Sequence, residues 1–189
     1  MLNANKHLLN AFIGPIISFN FNKAEVMSIP GIDAYINFTD VKGESGDNEF
    51  KDWTAVRSFS LEVLNRINHA TQGTGLGAGI VSVSGLSLDI LFDKSAITLR
   101  QYLVKGTHIK EVKLNVRRQG GKQEPWYTLT LTNALIARSS LAYGDGGFYA
   151  SILIAFQKHK ESYFSQEFAS GSKGAEVSYE WDSYSNQVG

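Results

Sequence analysis

The sequence predicts an all-β, mainly antiparallel fold with a single helix. Three observations carry this. Short segments in which apolar and polar residues alternate recur along the chain, which is the two-residue period of a half-buried strand. Eighteen glycines, several of them clustered, punctuate those segments. A content of 43% hydrophobic against 19% charged residues is too apolar for a disordered chain, while the apolar runs are too short for a helical bundle. The 189 residues suit one domain, because about 150 residues bury enough apolar surface to offset backbone entropy without disulfides or a structural metal.

The first clear strand is Ile32 to Asp40, where Ile32, Ala34, Ile36 and Phe38 share one face. The segment Lys42 to Asp52 then carries six charged residues and two glycines, so it is expected to bury no face and to form a long exposed loop or hairpin tip. A second strand follows, with Trp53, Ala55, Phe59, Leu61 and Val63 on one face and Arg57 as the exception among them. Asn65 to Gly79 is polar and then glycine-rich, which reads as a connection. Ile80 to Ser84 and Leu86 to Phe92 are strand-like. A helix of about ten residues comes next: Ser95 is a candidate N-cap, Ala96, Leu99 and Leu103 recur at helical spacing, and Gly106 suits the left-handed residue that ends a helix.

Val112, Leu114 and Val116 then alternate with Glu111, Lys113, Asn115 and Arg117. Gln119-Gly120-Gly121-Lys122 turns the chain, and Tyr127, Leu129 and Leu131 form the partner row, so residues 109 to 137 read as one long hairpin. Ser139 to Gly147 reads as a turn that launches Phe148, Ala150, Ile152, Ile154 and Phe156 as an inward row. Glu161 to Phe168 alternates weakly, Gly171 to Gly174 is a turn, and Val177, Tyr179 and Trp181 share a face of the last strand. About eight or nine strands with short connections imply a closed or nearly closed barrel or a two-sheet sandwich, since an open sheet of that size leaves long unpaired edges.

Composition also narrows the function. Eighteen Lys and Arg balance 18 Asp and Glu, so no general field attracts phosphate backbones or acidic lipids, and nucleic acid is not an expected partner. Without cysteine there is no disulfide framework, zinc-thiolate site or thiol catalysis. The longest apolar stretch, Leu8 to Phe21, is broken by Asn10, Gly14, Pro15, Ser18 and Asn20, short of the roughly 20 residues of a membrane span. No small-x-small cleavage site follows it, so neither membrane insertion nor a cleaved signal peptide is expected.

Chemistry-bearing patterns are weak. Gly73-Thr74-Gly75-Leu76-Gly77-Ala78-Gly79 is followed by a strand pattern, whereas a dinucleotide fingerprint needs a helix N-terminus at that place. His7, His69, His108 and His159 form no short-range ligand pair, and each is expected in a loop or tail, which argues against a metal site. A Ser-His-Asp set could assemble in space, as could a carboxylate pair from Glu44, Asp47, Glu49 and Asp52, but acidic loop runs are usually solvated faces. Neither an enzymatic role nor a cofactor is expected. Trp53, Trp126 and Trp181 read as strand residues filling a core or interface. Sugar stacking by the same rings keeps open an alternative, a monomeric carbohydrate- or ligand-binding β-sandwich.

The order of motifs is more specific than any one of them. An alternating strand leads into Lys42-Gly43-Glu44-Ser45, a mixed-charge loop, Trp53 and Ser58-Phe59-Ser60. Leu86-Ser87-Leu88 and Asp93-Lys94-Ser95 at the helix follow, and then Leu114-Asn115-Val116-Arg117-Arg118-Gln119-Gly120-Gly121. Gly171-Ser172-Lys173-Gly174 precedes Tyr179-Glu180-Trp181. This order resembles the haemolysin-coregulated protein family, Hcp, of type VI secretion in Gram-negative bacteria, over roughly residues 32 to 187.

The resemblance implies a compact β-barrel with one flanking helix. It further implies six-membered rings stacked into the inner tube of a contractile injection machine, beside a spike protein and a sheath, with small effector proteins held in the lumen. No catalysis is implied. Such a protein is cytoplasmic before firing and then secreted without a cleaved signal. Lys42, Gly43, Glu44, Ser45, Asp47, Glu49 and Lys51 are the expected subunit-interface loop, because a polymerising barrel needs polar loops whose mixed charges set register. The pattern departs from the family at Phe59 and Leu61, where tryptophans are common, and at Gln157 to Gln166, which is less regular than the family's strand. Met27-Ser28-Ile29-Pro30-Gly31-Ile32-Asp33 reads like an ordinary family N-terminus. Residues 27–189 are therefore read as the domain, and residues 1–26 as an extension or as sequence ahead of a start at Met27.

Overall fold

The computed structural model describes residues 33–65, 81–117, 124–144, 147–166, 173–185 and 187–188. Eight strands and one helix follow in the order β1 (Asp33–Phe38), β2 (Thr54–Asn65), β3 (Val81–Leu91), α1 (Lys94–Lys105), β4 (Ile109–Arg117), β5 (Pro125–Gly144), β6 (Gly147–Gln166), β7 (Lys173–Asp182) and β8 (Gln187–Val188). The expected boundary at residue 26, the Gly73–Gly79 run, His7, His69 and the Gln119–Lys122 turn lie outside the described residues.

Every described pairing is antiparallel, in the order β3-β2-β1-β4-β5-β6-β7-β8, and β3 also pairs with β6. Six strands thus close into a ring, which removes the open edges that an eight-stranded sheet would otherwise present. The closing seam runs from Leu86 opposite Ile154 to Leu91 opposite Tyr149. Beyond it β6 exchanges partners and pairs with β7 from Lys158 to Gln166.

The core is built from the alternating rows. Ala34, Ile36 and Phe38 of β1 and Val112, Leu114 and Val116 of β4 point inward with Leu129 and Leu131 of β5 and Ala150, Ile152 and Ile154 of β6. Leu86, Leu88 and Ile90 of β3 join them. β3 is one strand where the sequence suggests two, because Gly85 bends it without ending it. Its φ of +84° falls where a side chain is strained, and a Cβ there would lie 2.7 Å from the Ile154 carbonyl oxygen.

Bulges account for the faces that alternation misassigns. In β2 the inward residues are Thr54 and Val56, not Trp53 and Ala55, because the register shifts between Val56 and Ser58 and only then places Phe59 and Leu61 against the core. Arg57 sits in that shift and stacks its guanidinium 4.5 Å from the centre of the Tyr149 ring. A one-residue insertion inverts every side chain after it.

Three further expectations need correction. Ser139 to Gly144 is strand rather than turn, paired with Gly147 to Ile152. Phe148 is exposed and packs on Phe92, so the inward row begins at Ala150. Gln157 to Gln166 is strand, continuous with the rest of β6, with a register shift against β7 only between Phe164 and Gln166.

The helix starts two residues earlier than a Ser95 cap implies. Asp93 is the N-cap, and its carboxylate accepts from the Ser95 amide at 2.8 Å. Ser95 is instead fully buried, with its hydroxyl donating to Asp93 and accepting from Thr54 Oγ1 at 2.8 Å. Gly106 closes the helix in the left-handed conformation, φ 64°, as expected. α1 lies against β5, and its buried apolar residues Ala96 and Leu99 belong to the core. Leu99 has no exposed surface, so Leu99→Ala should cost about 2–5 kcal/mol, read as a lower urea midpoint with an unchanged slope.

Candidate functional site

The mixed-charge segment between β1 and β2 is a folded arch. Gly43 N–H donates to the Asp52 carbonyl at 2.7 Å, Ser45 N–H to the Trp53 carbonyl at 2.9 Å, and Asp52 N–H to the Ser45 carbonyl at 3.0 Å. The arch legs are close enough to require glycine at position 43, where a Cβ would meet the Trp53 carbonyl oxygen at 2.3 Å. Gly43→Ala should therefore splay the arch and cost about 1–3 kcal/mol, measurable as a reduced thermal midpoint.

Inside the arch, Asp47 organises the bend. Its Oδ1 accepts from the amides of Glu49 at 2.9 Å and Phe50 at 3.1 Å, and its own amide donates to Ser45 Oγ at 3.2 Å. The expectation that this segment buries no face fails at Phe50, which is 4% exposed and stacks on Tyr35 of β1 with ring centres 4.9 Å apart. One large apolar ring in a polar loop is enough to dock it.

The anchor is Arg117, at the end of β4. Alternation places it with Glu111, Lys113 and Asn115 on the outer face, and there it lies, opposite Asp33 and near Tyr35 of β1, buried because the arch folds over it. The residue is 4% exposed. Its Nη1 and Nη2 reach Asp47 Oδ1 and Oδ2 at 3.1 and 2.7 Å, a two-pronged pair, and Nε donates to Asp33 Oδ2 at 3.0 Å. Glu49 stands farther off at 3.8 Å. The guanidinium lies over the rings of Phe50 and Tyr35, 4.9 and 5.1 Å from their centres. Burial opposes ionisation of Asp47, but hydrogen bonds from Arg117 and from the Glu49 and Phe50 amides outweigh it and hold the carboxyl below its usual range.

A second tie fixes the other side of the arch. Glu44 N–H donates to Asp93 Oδ2 at 3.1 Å, so the N-cap of α1 also holds the loop, and through Ser95 and Thr54 it joins the start of β2.

The seven expected interface residues thus divide in two. Gly43, Ser45 and Asp47 are spent on the arch itself. Lys42, Glu44, Glu49 and Lys51 remain exposed, with Lys42 within 3.6 Å of Asp52. Asp33, Phe50, Asp93 and Arg117, which loop composition does not single out, are the residues that set their positions.

Other candidates resolve differently. Asp47 and Asp52 are engaged by Arg117 and Lys42, and among the described residues no three His, Cys, Asp or Glu side chains converge on one point. His108 lies in the connection before β4, with Nδ1 2.9 Å from Asn133 Oδ1, whereas His159 is a buried residue of β6, contrary to the expectation of a loop or tail. Trp53 precedes β2 and packs on Phe50, Trp126 packs on Tyr127 and Tyr163, and Trp181 packs on His159. No described helix is long and apolar enough to cross a membrane.

A barrel closed by β3 and β6, one capped helix and an anchored charged arch are the features against which relatives can be compared. The chain matches the family described as type VI secretion system effector, Hcp, over residues 35–163, more than half its length. It belongs to the Hcp family. Protein hcp1 of Pseudomonas aeruginosa is 28% identical over 154 residues, spanning 80% of this chain and 94% of that protein. The fold agrees with a solved type six secretion system protein at a TM-score of 0.79 and 21% identity, over 84% of this chain and all of the other. It also agrees with Hcp1 from Salmonella typhimurium at 0.68 and 22%, over 83% and 98%. As an Hcp protein, the chain is a tube protein of type VI secretion.

Proposed function

We propose that six copies of this protein close a ring, that rings stack into the inner tube of the secretion machine, and that the anchored arch forms contacts between copies. The carrying observation is the arch. Mixed charges on a floppy loop would lose side-chain and backbone entropy on every contact, whereas Lys42, Glu44 and Lys51 stand on a segment already held by Arg117, Phe50 and Asp93. Both signs of charge favour register over general stickiness, and a net charge of zero limits repulsion between stacked copies.

On this reading the role is structural rather than catalytic and needs no cofactor. The tube meets a spike protein and a contractile sheath, and its lumen holds small effector proteins. The protomer is made in the cytoplasm and leaves with the tube, without a cleaved signal. Sedimentation equilibrium at micromolar concentration tests the ring: the expected mass is six times the 20.8 kDa protomer. A stable monomer under those conditions would refute it and return attention to a monomeric binding module.

A further inference from the structure

Where β6 leaves β3 and takes up β7, a histidine is sealed inside the strand pairing. His159 is 1% exposed and packs edge-on to Phe156 and Tyr179, with Trp181 tilted against it. Its Nε2 lies 3.0 Å from the Tyr179 hydroxyl and 3.5 Å from Glu161 Oε1. The Tyr179 hydroxyl donates to Glu161 Oε1 at 2.6 Å, and the Tyr127 hydroxyl donates to Oε2 at 2.9 Å. A phenol has one proton, and that of Tyr179 is committed to the carboxylate. Its oxygen can therefore only accept from His159, which places the imidazole proton on Nε2. Nδ1 is left as a buried acceptor with no hydrogen-bond partner among the described residues.

We propose that His159 is an acid-sensitive latch that holds β7, with the short β8 it carries, onto β6. A second proton can enter only at Nδ1. There it creates an N–H donor with no acceptor and a full charge among aromatic rings. Among the described residues, the titratable groups facing the ring are Glu161 on its own strand, Tyr179 on β7 and, through Glu161, Tyr127 on β5. The β2 residue packed on Tyr127 is Phe59, which is apolar. Glu161 is the one carboxylate of this set, and it already accepts two hydroxyls.

β7 depends on this contact because it buries little else. Trp181 is its one buried residue, while Val177 is 70% exposed. The neighbouring Asp182 carboxyl, 3.1 Å from Lys158 Nζ, does not titrate in the same window. Although burial opposes it, hydrogen bonds from Lys158 and the Tyr184 amide hold the Asp182 carboxyl down to about 2. Burial likewise pushes the His159 imidazole below its ordinary value, against a smaller opposing pull from Glu161. The sign follows directly: with β7 open the ring is hydrated and titrates near ~6.5, so below that pH the open form binds the extra proton and is favoured. If the closed form stays neutral, the opening equilibrium rises about 25-fold between pH 7 and pH 5.

Hydrogen exchange on the full chain at pH 7, 6 and 5, corrected for the intrinsic exchange rate at each pH, tests the latch. Residues 173–182 should lose protection by up to about 25-fold on acidification, while buried β5 positions such as Leu129 and Leu131 keep theirs. His159→Phe should abolish the pH dependence. A second variant avoids any change at the buried site: Lys160 and Glu180 are exposed cross-strand partners, and the native chain has no cysteine. Lys160→Cys with Glu180→Cys, oxidised, should hold β7 shut at pH 5, and reduction should restore the acid response. Constant protection of β7 in the wild type from pH 7 to pH 5 would overturn the proposal. So would an acid response that persists in His159→Phe or in the oxidised pair.

Discussion

Arg117→Met is expected to lower the stability of the protomer by about 3 kcal/mol, seen as a fall of about 6–12 °C in the thermal midpoint. Methionine fills much of the same space over Tyr35 and Phe50, so the loss reports the charge and its hydrogen bonds rather than a cavity. Asp33 and Asp47 would be left facing each other across a largely dry pocket, each about one-fifth exposed. That residual hydration places the cost at the lower end of what removal of one partner from a buried ion pair usually brings. Arg117→Lys keeps the charge but not the two-pronged geometry, and should lose about 1.5 kcal/mol or more. A double-mutant cycle with Asp47→Asn isolates the pair, since the two single losses should not add.

The same interaction fixes a pH dependence. The Asp47 carboxyl is depressed in the folded protein, so its contribution is complete above the unfolded value of about 3.9 and is lost as pH falls through the lower folded value. Denaturation midpoints of the wild type should therefore drop steeply below about pH 4, and Arg117→Met should flatten that slope. A slope equal in the two proteins would mean that other carboxylates govern acid stability.

The second large effect concerns assembly rather than folding. Glu44 is exposed, and only its backbone amide takes part in holding the arch, through Asp93. Glu44→Lys should leave the melt nearly unchanged, because an exposed charge contributes about 0–1 kcal/mol to folding. In a closed ring or stack every copy repeats the contact, so about 1 kcal/mol per contact accumulates over all copies and can dissolve a marginal assembly. Fewer rings or shorter tubes at the same melting temperature are expected, with the deficit shrinking as salt screens the reversed charge. Unaltered assembly at every salt concentration would mean that position 44 is only solvated, and contacts would have to be sought on the sheet faces or α1.

Much of the barrel was legible because alternation is a local property. The rows Ala34-Ile36-Phe38, Val112-Leu114-Val116 and Ala150-Ile152-Ile154 needed only the period of a strand and the need to bury one face. Gly106 was equally local. Illegible were the places where one backbone insertion resets the face. The bulge at Arg57 inverts a parity that looks unbroken in the sequence, whereas Arg117 keeps its face and is buried by a loop that folds over it.

The candidate site failed to show itself for a different reason. Arg117 lies 84 residues from Asp33 and 70 from Asp47 in the chain, and no pattern joins them until β1 and β4 pair. The one local clue was Phe50, a large ring in a segment otherwise charged and glycine-rich, which marks where a loop is docked rather than free. His159 was assigned to a loop because Gln157-Lys158-His159-Lys160-Glu161 is polar, yet it lies in a strand there, buried against Tyr179 and Trp181 of β7.

Electron cryomicroscopy of the assembled wild-type protein tests most directly the claim that an internally anchored arch joins neighbouring copies. Lys42, Glu44 and Lys51 should lie within about 4 Å of oppositely charged or polar groups on an adjacent copy, with the Arg117–Asp47 pair still closed beneath them. Density showing these three side chains in open solvent on every copy, or Asp47 drawn away from Arg117 to meet a neighbour, would contradict it.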